Sequence, residues 1–220
     1  MSTDTLESVW ADREERAYPE LFGRMSRGIF PLDGELFTGM FAQQTYDPRW
    51  LTYGVFEYAP SPNRQSWLYV TSGCSNPWEE EPANYCSSEV SGFGMELVLE
   101  APVQANWPII ILKRLLAFNI LLIHGRYGEP KQLGYGDRVP LRAPITLEGD
   151  SELRSAVFYK PEHYPSSFGL ASGRVELIEA VGVTDSELAF AKEHGSDALL
   201  PLLKQQGAWP TTNPSRGSVA

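Results

Sequence analysis

Three histidines and two cysteines in 220 residues leave few soft ligands, and His124, His163, His194, Cys74 and Cys86 stand without the paired spacing of a metal site. No metal centre is expected, and no other cofactor. Basic residues are also scarce: 18 Lys and Arg against 28 Asp and Glu give a net charge of −10 and a pI near 4.8. A surface of that sign does not displace counterions from a phosphate backbone, so basic or neutral partners are expected rather than a nucleic acid. Long apolar runs are missing as well. Leu115–Ile123, which follows the charged pair Lys113-Arg114, falls well short of the roughly 18 to 20 residues that a membrane span requires. The opening Met1-Ser2-Thr3-Asp4 starts no basic segment followed by an apolar one, so no secretory leader is read and a cytoplasmic location is expected. In a reducing compartment Cys74 and Cys86 are expected as free thiols.

Signatures of catalysis are equally thin. Cys74 lies in a Gly73-Cys74-Ser75 turn, but no nucleophile elbow and no neighbouring base with an orienting acid accompany it. Gly92-Phe93-Gly94 leads into a strand rather than a helix, and Gly134-Tyr135-Gly136 opens no helix either, so both read as turn or bulge glycines rather than phosphate loops.

What the chain does contain is organised around Ser91–His124. Phe93, Met95, Leu97 and Leu99 alternate with Gly94, Glu96, Val98 and Glu100, the period of a half-buried strand whose second face is wet. Asn106 offers a helix cap and Pro108 suits a first turn. From Ile109 to Ile123 nearly every position is apolar, which predicts a helix covered by protein on at least three sides.

Around this centre, Asp4 and Glu7 resemble a capping pair for an amphipathic peripheral helix that carries Leu6, Val9, Trp10 and Arg13. Trp50–Tyr58 and Trp67–Thr71, separated by Pro60-Ser61-Pro62-Asn63, predict an antiparallel hairpin. Gly73–Ser88 reads as a long surface loop. Short strands are expected at Arg138–Leu141 and Ala156–Lys160, and another at Val175–Val181. Thr184 and Glu187 form a capping box for a short helix closed by Gly195, and Pro201 is expected to delay the start of the next helix.

Four segments stand in the order and spacing of the N-terminal domain of the suppressor of fused (Sufu) family. They are Trp67-Leu-Tyr-Val-Thr-Ser-Gly-Cys-Ser-Asn76, Ser91-Gly-Phe-Gly-Met-Glu-Leu97, Asn106-Trp-Pro with its apolar helix, and Phe168-Gly169 through Val175–Leu188 to Leu200. The chain is similar to single-domain bacterial members of that family. The resemblance implies an α/β domain of α+β type, a mixed, largely antiparallel sheet packed against helices. Residues 1–45 are then a helical or irregular segment of the same domain, 46–209 the domain proper, and 210–220 a flexible tail. Animal members carry a second domain and clasp a transcription-factor peptide between the two, whereas the likeness here covers the first domain alone, so Hedgehog signalling does not carry over.

The resemblance further implies a non-enzymatic domain that binds and masks a partner protein, with an immunity protein against a toxin as the candidate role. The alternative is a hydrolase-like or other small-molecule enzyme built on Cys74 and the Glu79–Glu81 loop. Within that loop, Glu79, Glu80 and Glu81 supply charge and Trp78 and Tyr85 supply aromatic surface, which makes these five the candidate partner-binding residues.

Overall fold

In the computed structural model, residues 3–220 are described, with side chains from residue 7 onward. The expected pairing of Asp4 with Glu7 lies outside the described side chains. Helix α1 (Thr3–Ala11) runs through a π-helical stretch, Asp12–Ala17, into α2 (Tyr18–Phe22). One strand follows that composition hides, β1 (Met25–Pro31), in which Gly28 and Pro31 suppress any alternation. The hairpin forms as expected from β2 (Gly54–Tyr58) and β3 (Trp67–Ser72), with Phe56 opposite Val70.

The central strand β4 (Val90–Ala101) leads into helix α3 (Trp107–Ile123). Gly92 and Gly94 have φ of +57° and +68° and sit in the irregularity before Met95, where a Cβ on Gly92 would lie 2.5 Å from the Asn76 carbonyl oxygen. They are bulge glycines. Asn106 does not cap α3; its Oδ1 lies 3.4 Å from the Arg27 guanidinium instead. Beyond α3 come β5 (Arg138–Pro140), β6 (Leu153–Tyr159), β7 (Ser167–Leu170) and β8 (Gly173–Thr184), then α4 (Asp185–His194) and α5 (Ser196–Gln205). The capping box on Thr184 is complete. Pro201 lies inside α5, which starts at Ser196 rather than late.

The strands form one sheet in the order β1-β2-β3-β4-β8-β6-β5, with β7 paired to the first half of β8. All pairings are antiparallel except β4 with β8, where Leu97 stands opposite Ile178 and Val98 opposite Glu179. Helix α3 covers one face, over Met95, Leu97, Leu99, Ile178 and Ala180. Tyr18 and Phe22 cover part of the other face, over Phe56, Tyr58, Leu68, Val70 and Val98, and α4 and α5 cover the rest through Leu188, Leu199 and Leu203. Leu97 has no exposed surface. Leu97→Ala is expected to cost about 2 to 5 kcal/mol in a urea melt.

Because helices cover both faces, the second face of β4 is not wet: Glu96, Val98 and Glu100 are fully buried. The segment 210–220, expected to be a flexible tail, lies against the body of the fold. Thr212 is fully buried, donates its N–H to the Glu100 carbonyl (2.9 Å) and accepts from Gly182 N–H (3.1 Å). Arg216 grips both oxygens of Glu187 at 2.5 and 2.8 Å and the Gly182 carbonyl at 2.8 Å.

Candidate functional site

The loop after β3 divides into a buried half and an exposed half. Cys74, Ser75 and Asn76 are in the core, because Glu96 accepts Gly73 N–H (2.9 Å), Ser75 N–H (3.0 Å) and the Ser75 hydroxyl (2.7 Å) on one oxygen, and the Thr71 hydroxyl (2.6 Å) on the other. Arg13, also fully buried, donates to Ser75 Oγ (2.9 Å) and Asn76 Oδ1 (2.7 Å). The sequence expectation of a surface loop holds only from Trp78 onward.

Trp78 is half-buried. Its indole N–H donates to Tyr53 Oη (2.8 Å), their rings are parallel within 5° at 6.5 Å, and the Arg49 guanidinium lies 5.4 Å over the indole. Arg49 is held in turn by Asp47 (2.7 Å) and Glu79 (2.8 Å). Trp78, Glu79 and Glu80 line a small pocket of about 210 Å³ together with Trp50, Tyr53, Phe93 and His124. Glu81 and Tyr85 do not line it. Tyr85 keeps its hydroxyl buried and without a hydrogen-bond partner; burial, then the charges of Glu80 and Glu81, push its pKa up.

The alternative enzymatic set is not brought together. The Cys74 thiol is fully buried, and that burial holds its pKa well above the usual thiol value, with Asn119 Nδ2 at 3.8 Å. A thiolate nucleophile is disfavoured there. Glu79 lies at the surface, its side chain 83% exposed and bound to Arg49. Both cysteines are free. Among the described residues no group of three or more His, Cys, Asp and Glu could hold a metal ion, and no helix is long and apolar enough to cross a membrane.

A larger concavity lies beside the sheet edge. It has a volume of about 710 Å³, an apolar floor from Leu115, Phe118 and Leu122 of α3 with Leu133 and Leu141, and an outer lip of Met40 and Phe41. Strand β5 forms one wall and, among the described residues, pairs only with β6, which leaves its outer edge open. Arg114, Lys131 and Arg142 stand on the rim, their side chains with no hydrogen-bond or ion-pair partner among the described residues. Arg138 is committed elsewhere, to Ser196 Oγ at 2.8 Å and the Ala191 carbonyl at 3.3 Å. Sequence reasoning missed this groove. Three separate segments build it, and the one local signal was that Arg114 and Phe118 stand four residues apart on a helix whose only other charge is Lys113.

The family model described as Suppressor of fused protein (SUFU) matches residues 49–217. The chain belongs to the suppressor of fused family. Solved structures agree in fold. A Sufu–Fu complex structure matches with a TM-score of 0.67 at 20% identity, over 97% of this chain and 91% of that one. A putative SUFU homologue from Neisseria gonorrhoeae matches with a TM-score of 0.62 at 15% identity, over 100% and 98%. Drosophila Suppressor of Fused matches with a TM-score of 0.62 at 19% identity, where 91% of this chain spans 53% of that one. No curated protein matches the chain. The family's mixed, largely antiparallel sheet packed against helices is what the sequence resemblance implied.

Proposed function

We propose that this suppressor of fused domain is a non-enzymatic protein-interaction module that masks a partner, in the manner of an immunity protein against a toxin. The observation that carries the reading is the groove: an apolar floor beside a strand with an open edge accepts an extended segment, whose backbone adds to β5 while alternate side chains enter the floor. One of the similar solved structures is itself named as a complex of Sufu with Fu, which supports protein binding as the use of this fold.

A second surface belongs to the same reading. The Trp78, Glu79, Glu80, Glu81 and Tyr85 loop carries clustered carboxylates on a protein of net charge −10, and these favour encounter with a basic partner. The partner is sought among the products of neighbouring genes and tested by co-expression, where rescue of growth from a toxic product establishes masking. With the partner in hand, Phe118→Glu is expected to weaken binding at least tenfold, mainly through faster dissociation, and to lower the melting temperature without unfolding the domain, since Phe118 is half-buried and its ring packs on Phe41 and Tyr127. Gln at positions 79, 80 and 81 is expected to slow association and flatten its salt dependence. Unchanged kinetics in both variants would move the interface elsewhere on the domain.

A further inference from the structure

Five aromatic rings and two carboxylates surround the 210 Å³ pocket beside the acidic loop. Trp50 and His124 have ring centroids 4.9 Å apart, Phe93 stands edge-on to His124 at 6.0 Å, and Tyr53 and Trp78 stack in parallel. His124 donates Nδ1–H to the Ile120 carbonyl at 2.8 Å, which fixes the imidazole at the end of α3. Glu79 and Glu80 are part of the lining, and Asp47 lies just behind Arg49. Arg49, itself part of the lining, is bound by Asp47 and Glu79, and Glu80 adds a second carboxylate to the lining, so negative charge exceeds positive beside the rings. A wall of ring faces attracts cations through the ring quadrupoles and repels anions. The chain already shows this chemistry: the Arg49 guanidinium lies over Trp78 with Glu79 at 2.8 Å.

We propose that this pocket receives a cationic side chain, a lysine or an arginine, from a basic partner protein, with Trp78 as the ring platform and Glu79 and Glu80 as counter-charges. The inference rests on the reading of the acidic loop as a partner surface and names what that surface recognises. The incoming cation shares Glu79 with Arg49, so the pocket selects a basic residue carried on a tightly held segment rather than a free cation at low concentration.

The test uses the intact chain and three probes: N-acetyl-arginine methylamide, N-acetyl-lysine methylamide and the neutral isostere N-acetyl-citrulline methylamide. Binding is followed by the NMR shifts of the indole N–H groups, with Trp78 assigned by loss of its signal in Trp78→Phe. The expected result is saturable movement of the Trp78 and Trp50 signals by a cationic probe, with a Kd of roughly millimolar order. The Glu79→Gln, Glu80→Gln double variant weakens it at least fivefold, and citrulline produces no saturation. Equal binding of citrulline, or cation binding unaffected by the double variant, overturns the proposal. If no probe saturates while Gln at positions 79, 80 and 81 still slows association with the partner, the pocket inference falls and the loop surface stands. If the cationic probes saturate but those Gln replacements leave partner association unchanged, the loop reading falls and with it the assignment of the cation to a partner.

Discussion

Glu96→Ala is expected to lower stability by about 3 to 5 kcal/mol, because it removes one of the two carboxylates near a buried cation and the acceptor of several buried donors at once. A domain of this size is stable by only about 5 to 15 kcal/mol, so the loss is a large fraction of the total. The carboxylate accepts four hydrogen bonds with no exposed surface, and Ser75 Oγ connects it to Arg13, whose guanidinium is equally buried. Without Glu96, Thr71, Gly73 and Ser75 lose their acceptor, and Glu14, at 3.0 Å and partly exposed, is the carboxylate left beside Arg13. Glu96→Gln keeps the shape and one carbonyl oxygen but removes the charge, and it should cost less than alanine. Urea melts of both variants decide the order. A double-mutant cycle with Arg13→Met separates the pair, because the second substitution should cost less once the carboxylate is gone. An alanine variant with the wild-type midpoint would mean that this network contributes no net stability.

Glu96 also shows what the sequence could and could not disclose. Period-two alternation placed Phe93, Met95, Leu97 and Leu99 on a core face; the last three are buried there, and Phe93 is half-buried against it. The same pattern made Glu96 and Glu100 look wet, since a charged residue on a strand usually faces solvent. Their partners are what bury them: Arg13 and Ser75 for Glu96, Ser66 and His163 for Glu100, all remote in sequence and invisible to any local pattern. Residues 210–220 failed for the same reason. Pro, Thr, Ser and Gly suggest mobility, yet Thr212 and Arg216 bind Gly182 and Glu187, which lie about thirty residues earlier. The helix α3 and the capping box were legible because apolar period and cap chemistry are local. The candidate site was legible in part. Trp78, Glu79 and Glu80 converge on one pocket, but Trp50, Phe93 and His124 reach it from other elements, and the groove beside β5 carried no contiguous signal.

Glu179→Gln should stabilise the protein at neutral and alkaline pH, with a gain that grows as pH rises. Glu179 is fully buried at the centre of the sheet, and neither carboxylate oxygen has a hydrogen-bond partner. Glu100 faces it from β4, Arg64 from the turn between β2 and β3, and Glu162 and Tyr164 from the segment before β7. His163 lies 3.3 Å from Glu100. Arg64 spends its donors on the carbonyls of Ser66, Ala59 and Phe22 rather than on Glu179. Burial first, and the Glu100 charge second, therefore hold the Glu179 pKa well above the ordinary carboxylate value. The folded state keeps a proton that the unfolded state releases near pH 4.5. This group's contribution is complete below that pH and is lost as pH rises toward the folded pKa, at a slope of up to about 1.4 kcal/mol per pH unit. Glutamine has no proton to lose, so the variant lacks that slope. Melting temperatures of the two proteins should converge near pH 4 to 5 (about the ordinary glutamate pKa) and separate steadily above it. Parallel curves across that range would show that Glu179 titrates alike in the folded and unfolded chains, and would remove the buried acid from the account of this face of the sheet.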